Sequence, residues 1–292
     1  MSQGAIPDPA APLVPSGNLR RRRIASKTTE FVATGAAVLA VAVLAIVVYT
    51  VVERGAGAIS FDFVFTAAPT GVGPALLGTI VIVAVATAIA MPLAVLIALF
   101  LTEYAGSRVA GPVRMTLDLM NGLPAIVLAL FVFGLFVNHK HLSGFAGAVA
   151  LAIIELPLIA RGTQEVLLLV PKSLREASDA LGVARWRSVL GVILPSALGG
   201  IVTATVLAVA RAAGETAPLL LTTGVFDMRH FSINPFEALP NVPVVIYTLS
   251  EEGNPEGFTE AWGISLVLVA FILAASLGAR ALLNRSKRKL TG

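Results

Sequence analysis

Long stretches of this chain have no polar face at all. Apolar runs at 31–52, 72–101, 119–137, 142–163, 191–213 and 261–282 are separated by short polar segments. About 20 apolar residues at ~1.5 Å rise cross the ~30 Å hydrocarbon core of a bilayer, so each run predicts a transmembrane helix. The expected fold is therefore an all-α polytopic membrane protein of six spans. Glu155 and Arg161 interrupt the fourth run, and the fifth leads into Arg211 and Glu215. A further apolar stretch, 217–226, is too short to cross alone and reads as a re-entrant piece or an outer extension.

Composition supports this picture. Of 292 residues, 57% are hydrophobic and 13% charged, against roughly 25% charged in an ordinary soluble domain. The absence of cysteine excludes thiol chemistry, cysteine-ligated metals and disulfides. The net charge of +4 does not point to nucleic acid, because most of the basic residues sit beside spans. Residues 1–26 are rich in Pro, Ala and Gly without periodicity and read as a disordered tail. Segment 27–60 holds the first helix and an outer link, 61–285 the permeation core, and 286–292 a basic tail. The arginines from Arg20 to Arg23 ahead of an apolar run resemble a signal peptide. That run is too long for one and more spans follow, so an uncleaved first span is expected, although Ala56-Gly57-Ala58 leaves a cleavage site open.

The positive-inside rule gives an orientation. With the amino terminus in the cytoplasm, the inner side receives five basic residues before the first span, Arg108 and Arg114 in the next inner loop, five from Arg161 to Arg187, and five from Arg280 to Lys289. The outer side receives only Arg54, Lys140 and Arg229. Both termini are expected in the cytoplasm of a cell (plasma) membrane protein.

One inner loop, about 171–190, concentrates charge: Arg175, Glu176, Asp179, Arg185 and Arg187. Ser173 and Glu176 are spaced as a capping box, Pro171 stops the preceding helix, and Gly182 suits a left-handed C-cap. Leu174, Ala177 and Leu181 form an apolar stripe, with small Ala177 and Ala180 permitting close approach. A two-turn helix is not stable alone in water, so either lipid headgroups or a protein groove must hold it. An alanine-rich stripe favours the groove.

Glu176-Ala177, then Gly182, then Ile193-Leu194-Pro195 resembles the EAA signature of ATP-binding-cassette importer permeases; Ser178 stands where that signature often has a third small residue. The resemblance implies a type I importer permease fold in which this loop carries the coupling helix. Leu174, Glu176, Ala177, Ala180, Leu181 and Gly182 would then meet a cytoplasmic ATPase.

Ionisable groups within spans mark functional candidates. Arg161 and Glu165 are one helical turn apart, as are Arg211 and Glu215. This spacing suggests that each arginine is held by a glutamate until an anion competes; Glu155 has no local partner in the sequence. The planar guanidinium fork matches tetrahedral oxyanions. Interfacial ion pairs that only pin helices remain the alternative, with Arg161 snorkelling to the inner surface. Gly214 and Pro218 mark a helix break of the kind that lines cavities.

The strings "RAAGETAPLLLT", "LPLIARGTQEVLLLVPKSLREA" and "NVPVVIY" resemble the PstA-type permeases of phosphate importers across about 70–283, and "RAAGE" alone resembles sulfate and molybdate permeases. Phosphate-importer resemblance implies transport residues at Arg161, Arg211 and Glu215; Glu155 and Glu165 join them by spacing only. It also implies partners: a homologous permease (PstC), two ATPase subunits (PstB) and an extracytoplasmic phosphate-binding protein (PstS), besides membrane lipid. No catalytic residue, metal or cofactor is expected on this chain, which has no G-x-x-x-x-G-K-[ST] loop; ATP and Mg would act on the partner ATPase. The competing classes are a sulfate or molybdate permease, an ion-coupled carrier using Glu155, and an intramembrane hydrolase. The last lacks its motifs, and His139, His141 and His230 all fall outside the spans. The acidic, Pro-rich segment from about 224 to 260, with Asp227, Glu237, Glu251, Glu252, Glu256 and Glu260, is expected to be either an outer gate and docking surface or a solvated loop.

Overall fold

The computed structural model describes residues 19–137, 141–224 and 227–290, and contacts divide the chain into two units, Met1–Thr50 and Val51–Gly292. Most of the expected amino-terminal tail, His139, Lys140, Phe226 and the last two residues lie outside the described residues.

The described part of the first unit lies within α1 (Leu19–Gly55), which carries the run 31–52. Phe31, Leu39 and Tyr49 are all exposed. A helix that is apolar on every side and unburied is what lipid solvates.

Among the described residues, the second unit has only helices as its regular elements. It contains α2 (Phe61–Phe65), α3 (Gly73–Leu99), α4 (Ser107–Gly122), α5 (Ala125–Val132) and α6 (Gly144–Leu169). It continues with α7 (Lys172–Ala180), α8 (Arg185–Ser188), α9 (Leu194–Ala212), α10 (Ala217–Thr222), α11 (Val242–Glu251) and α12 (Pro255–Leu290). Single π-helical turns extend α3 through Phe100–Tyr104, α5 through Phe133–Val137, and join α8 to α9 through Val189–Ile193.

Five helices are long and apolar enough to cross a bilayer, six if one bent pair counts as a span. That pair corrects the third expected span. The apolar run 119–137 is not one helix: α4 and α5 meet at 99°. Leu123 is driven to extended backbone (φ −71°, ψ 135°) by Pro124, which has no N–H to continue the ladder. The fourth span, by contrast, is not interrupted. α6 passes through Glu155, Pro157 and Arg161 without a break and ends at Leu169.

α6 is the central element, packed along α3 on one side and α9 on another. In lipid there is little hydrophobic drive between helices, so small residues that permit close approach set the interface. On α3, Ile82, Ala86, Ala90, Ala94 and Ala98 recur every fourth residue and are all fully buried. On α6, Ala148, Ala152 and Ala160 belong to the same core. Between α6 and α9, Gly162 abuts Ala204 and Gly200 abuts Val166. These two contacts fix an antiparallel register that puts Glu155 level with Arg211 and Arg161 level with Thr205.

The segment between α10 and α12 is not one long loop. Within it α11 buries Val242, Pro243, Val244 and Val245. Its N-cap is the buried Asn241, whose Oδ1 accepts from Val244 N at 3.2 Å while its Nδ2 donates to Thr223 Oγ1 at 2.9 Å. Thr79 Oγ1 on α3 accepts the Val242 N–H at 2.9 Å. The approach depends on Gly78, where an added Cβ would lie 1.9 Å from the Pro240 carbonyl oxygen.

Gly78→Ala is therefore expected to destabilise the purified protein by about 1–3 kcal/mol, the usual range for overpacking. Thermal unfolding in detergent measures it. Gly35→Ala, at a position with open space around it, leaves the midpoint where it is.

Candidate functional site

The charged segment between α6 and α9 folds as α7, a turn, then α8. The expected capping box is not formed. Pro171 occupies the N-cap with no side-chain cap bond, so the helix starts at Lys172 and Ser173 is already past the position from which a hydroxyl caps. The C-terminus does follow expectation. Gly182 has φ +66°; its N–H reaches Asp179 O at 3.0 Å, and Val183 N–H reaches Ser178 O at 3.1 Å. Those two bonds make a Schellman motif, which needs a left-handed residue at Gly182.

α7 touches the rest of the chain on one face only. Ser178 is buried, whereas Leu174, Glu176, Ala177, Ala180 and Leu181 are all exposed, Leu181 to 81%. The apolar stripe is thus presented outward, and Glu176 makes no ion pair among the described residues. Trp186 and Val183 are exposed beside it.

The buried face holds a residue that sequence reasoning missed. Glu103, in the π-helical turn that ends α3, has a side chain with 0% exposure. Its Oε1 accepts from Arg175 Nη2 at 2.9 Å and Nε at 3.2 Å, and its Oε2 accepts from Arg185 Nη2 at 3.0 Å. Arg175 also donates to the Val170 and Leu167 carbonyls at 2.7 and 2.8 Å, satisfying the end of α6. Arg185 further approaches Asp179 at 3.7 Å. A charge placed just past the end of the apolar run 72–101 was the available signal for Glu103; its partners, more than 70 positions away, were not.

The charges at membrane depth are arranged differently from their sequence spacing. Arg161 is not paired with Glu165. Its Nη2 donates to Asp118 Oδ1 and, at 3.1 Å, to the Arg114 carbonyl, both on α4. Glu165 is exposed and forms no ion pair among the described residues. The bend between α4 and α5 is what turns α4 toward α6 and makes Asp118 available. Arg211 does pair with Glu215, Nε to Oε1 at 3.3 Å, where α9 ends before Gly214. The Arg211 side chain stays 58% exposed and that of Glu215 20%. From the register above, the two arginines are offset by about 9 Å along the bundle axis, the rise from Thr205 to Arg211.

Glu155 is fully buried. Thr87 Oγ1 on α3 donates to its Oε2 at 3.0 Å, and Oε1 has no partner among the described residues. A cavity of about 480 Å³ between α3, α9 and α12 reaches Thr87. Its lining of Val83, Met91, Val206, Phe271 and similar residues carries no cation, so it does not suit an oxyanion. The segment ahead of α11 is knotted by short polar contacts. The Arg229 backbone N–H bonded to Asp227 holds that carboxyl below its ordinary value, as Ser232 and then Asn234 do for Glu237.

Residues 90–291 match the family described as binding-protein-dependent transport system inner membrane component. The chain is 36% identical over 276 residues to the phosphate transport system permease protein PstA of Xylella fastidiosa, covering 92% of this chain and 96% of that protein. It is also 36% identical to PstA 1 of Mycobacterium tuberculosis, covering 96% and 94%. Among solved structures it resembles an inward-facing MetNI methionine ABC transporter (TM-score 0.59, 21% identity, 78% of this chain and 99% of that one). It also resembles a bacterial alginate ABC transporter in complex with an alginate-bound periplasmic protein (TM-score 0.62, 13% identity, 94% and 98%). These structural likenesses show the type I importer permease fold.

Gly182→Val should force a branched residue into the left-handed region at about 1–2 kcal/mol without any steric clash, since nothing lies within 4 Å of a Cβ there. Gly182→Asn, which tolerates that conformation, should keep the α7 C-terminus intact. Hydrogen exchange at Gly182 and Val183 distinguishes them: protection falls in the valine variant and persists in the asparagine variant.

Proposed function

The chain belongs to the binding-protein-dependent transport system inner membrane components, among relatives called phosphate transport system permease protein PstA. From that premise we propose that it is one permease half of an ATP-driven importer that moves inorganic phosphate into the cytoplasm by alternating access. It lies in the inner membrane with both termini and α7 on the cytoplasmic side.

The observation that carries this reading is the pairing of an outward-facing α7 with exposed arginine at membrane depth. α7 presents Leu174, Glu176, Ala177, Ala180 and Leu181 to a partner, which suits the groove of an ATPase chain. Arg211 is more than half exposed inside a span, where only a water-filled path or another protein chain tolerates it. Two ATPase chains of the PstB kind, a second permease of the PstC kind and a phosphate-binding protein of the PstS kind complete the assembly. ATP and Mg belong to the ATPase chains.

Phosphate delivered from outside meets Arg211 first. The guanidinium is restrained by a single carboxylate, Glu215, at 3.3 Å, a long contact that a doubly charged oxyanion displaces by offering a bidentate acceptor. About 9 Å further in, Arg161 repeats the arrangement with Asp118 in the place expected for Glu165. Closure of the ATPase pair moves α7, and the spans attached to it exchange which end of the path is open. Glu155 belongs to the α3–α6 interface, where Thr87 holds it, and acts on the path through helix packing.

The relatives favour phosphate over sulfate or molybdate, and a binding-protein-dependent family favours an ATP-driven system over an ion-coupled carrier. Reconstitution with the companion chains tests both. Phosphate-loaded binding protein should stimulate ATP hydrolysis where sulfate and molybdate do not, and uptake by this chain alone would sink the reading. Arg211→Ala should lower phosphate uptake at least about tenfold, the loss of one charge-assisted contact or more, with assembly of the complex unchanged on a sizing column. Unchanged uptake removes Arg211 from the path.

A further inference from the structure

We infer that Glu103 is the positioning residue that makes α7 and the inner end of α3 move as one body. Displacement of α7 is thereby delivered to the transmembrane span that packs along α6. The inference rests on the reading that α7 meets the ATPase.

A helix as short as α7 has no stability of its own, and Ser178 is its one buried residue. With such a hold, a push on its outer face would tilt it against the bundle. The Glu103 carboxylate prevents this because both oxygens are engaged from different segments. Arg175, within α7, takes Oε1 through two nitrogens, and Arg185, at the start of α8, takes Oε2. The same Arg175 guanidinium bonds the Leu167 and Val170 carbonyls. One buried anion therefore ties together the end of α3, the end of α6, α7 and α8. Charge-assisted bonds of this kind are directional as well as strong, so the joint resists rotation in a way that apolar contact does not.

The location adds to the argument. Glu103 sits in a π-helical turn, where Ala105 N bonds back to Phe100 O at 2.7 Å, and such turns reshape a helix where a side chain must be aimed. Directly above it runs the Ile82, Ala86, Ala90, Ala94, Ala98 stripe. A displacement entering at Glu103 is carried along the interface between α3 and α6.

The chain contains no cysteine, so Tyr104→Cys and Ala180→Cys, both exposed positions, can be spin-labelled on the purified chain before it is assembled with its companion chains, and then report this joint in the transporter. The expected distance between them is narrow and the same with and without ATP and Mg. In Glu103→Gln it broadens, and phosphate imported per ATP hydrolysed falls at least about tenfold, as loss of charge-assisted bonds implies. Glu103→Asp, which keeps the carboxylate, should recover part of that ratio. If Glu103→Gln does not assemble, Arg185→Gln, which leaves the Arg175 pair in place, gives a smaller broadening and a smaller loss. A native distance that changes with nucleotide overturns the inference. So does a Glu103→Gln or Arg185→Gln transporter matching the native one in both readouts. The underlying reading fails separately: if Ala177→Glu on the outer face leaves ATPase binding intact, α7 is not the contact, while the label distance still reports whether Glu103 locks it to α3.

Discussion

Close approach between α3, α6 and α9 is the constraint on which the rest of this structure depends. In a bilayer the helices gain nothing by hiding apolar surface from water, so contact must come from fit. Fully buried alanines every fourth residue on α3, and glycine against side chain between α6 and α9, provide it. The resulting register decides at what depth each charge stands. A larger residue at Gly162 or Gly200 would separate the helices and shift Arg161 relative to Arg211.

That packing, and the helix ends, then give several buried polar groups their partners. Asn241 closes the start of α11 against Thr223 and is flanked by Thr79, so a helix end is buried at membrane depth with its donors satisfied. Glu103 is the corresponding case at the other end of the bundle: its side chain is fully buried, and Arg175 and the partly exposed Arg185 compensate its charge. There are exceptions. Arg211 is exposed, and Glu155, Thr163 and Gln164 each keep one buried oxygen without a partner among the described residues. Arg211 is open to a path or a partner, whereas Glu155 is enclosed by α3 and α6.

Much of the architecture was legible in the chain. Five of the six expected spans appear as continuous helices, and Gly182 takes the left-handed conformation that its place after an amphipathic stripe implied. The third span was not legible as a broken one, because run length measures apolarity while a 99° bend depends on the extended backbone at Leu123 and the missing N–H of Pro124. Likewise α11 hid within a segment whose acids made it look solvated, although the run from Val242 to Tyr247 is apolar. The partner of Arg161 was misread for a similar reason. Glu165 is one turn away in sequence, yet α4 brings Asp118 to the same guanidinium from across the bend.

By itself the sequence determined which segments enter lipid, which loop can be an outward-facing helix, and where its left-handed end falls. Those properties follow from single residues and their near neighbours: apolar run length, stripe periodicity, and the conformational freedom of glycine. Only the tertiary structure decided which carboxylate each arginine holds and which charges are buried. Pairings such as Glu103 with Arg175 and Arg185 join positions that no local period connects. They exist because helix packing brings them within hydrogen-bond reach, and a dry interface makes leaving them unpaired too costly.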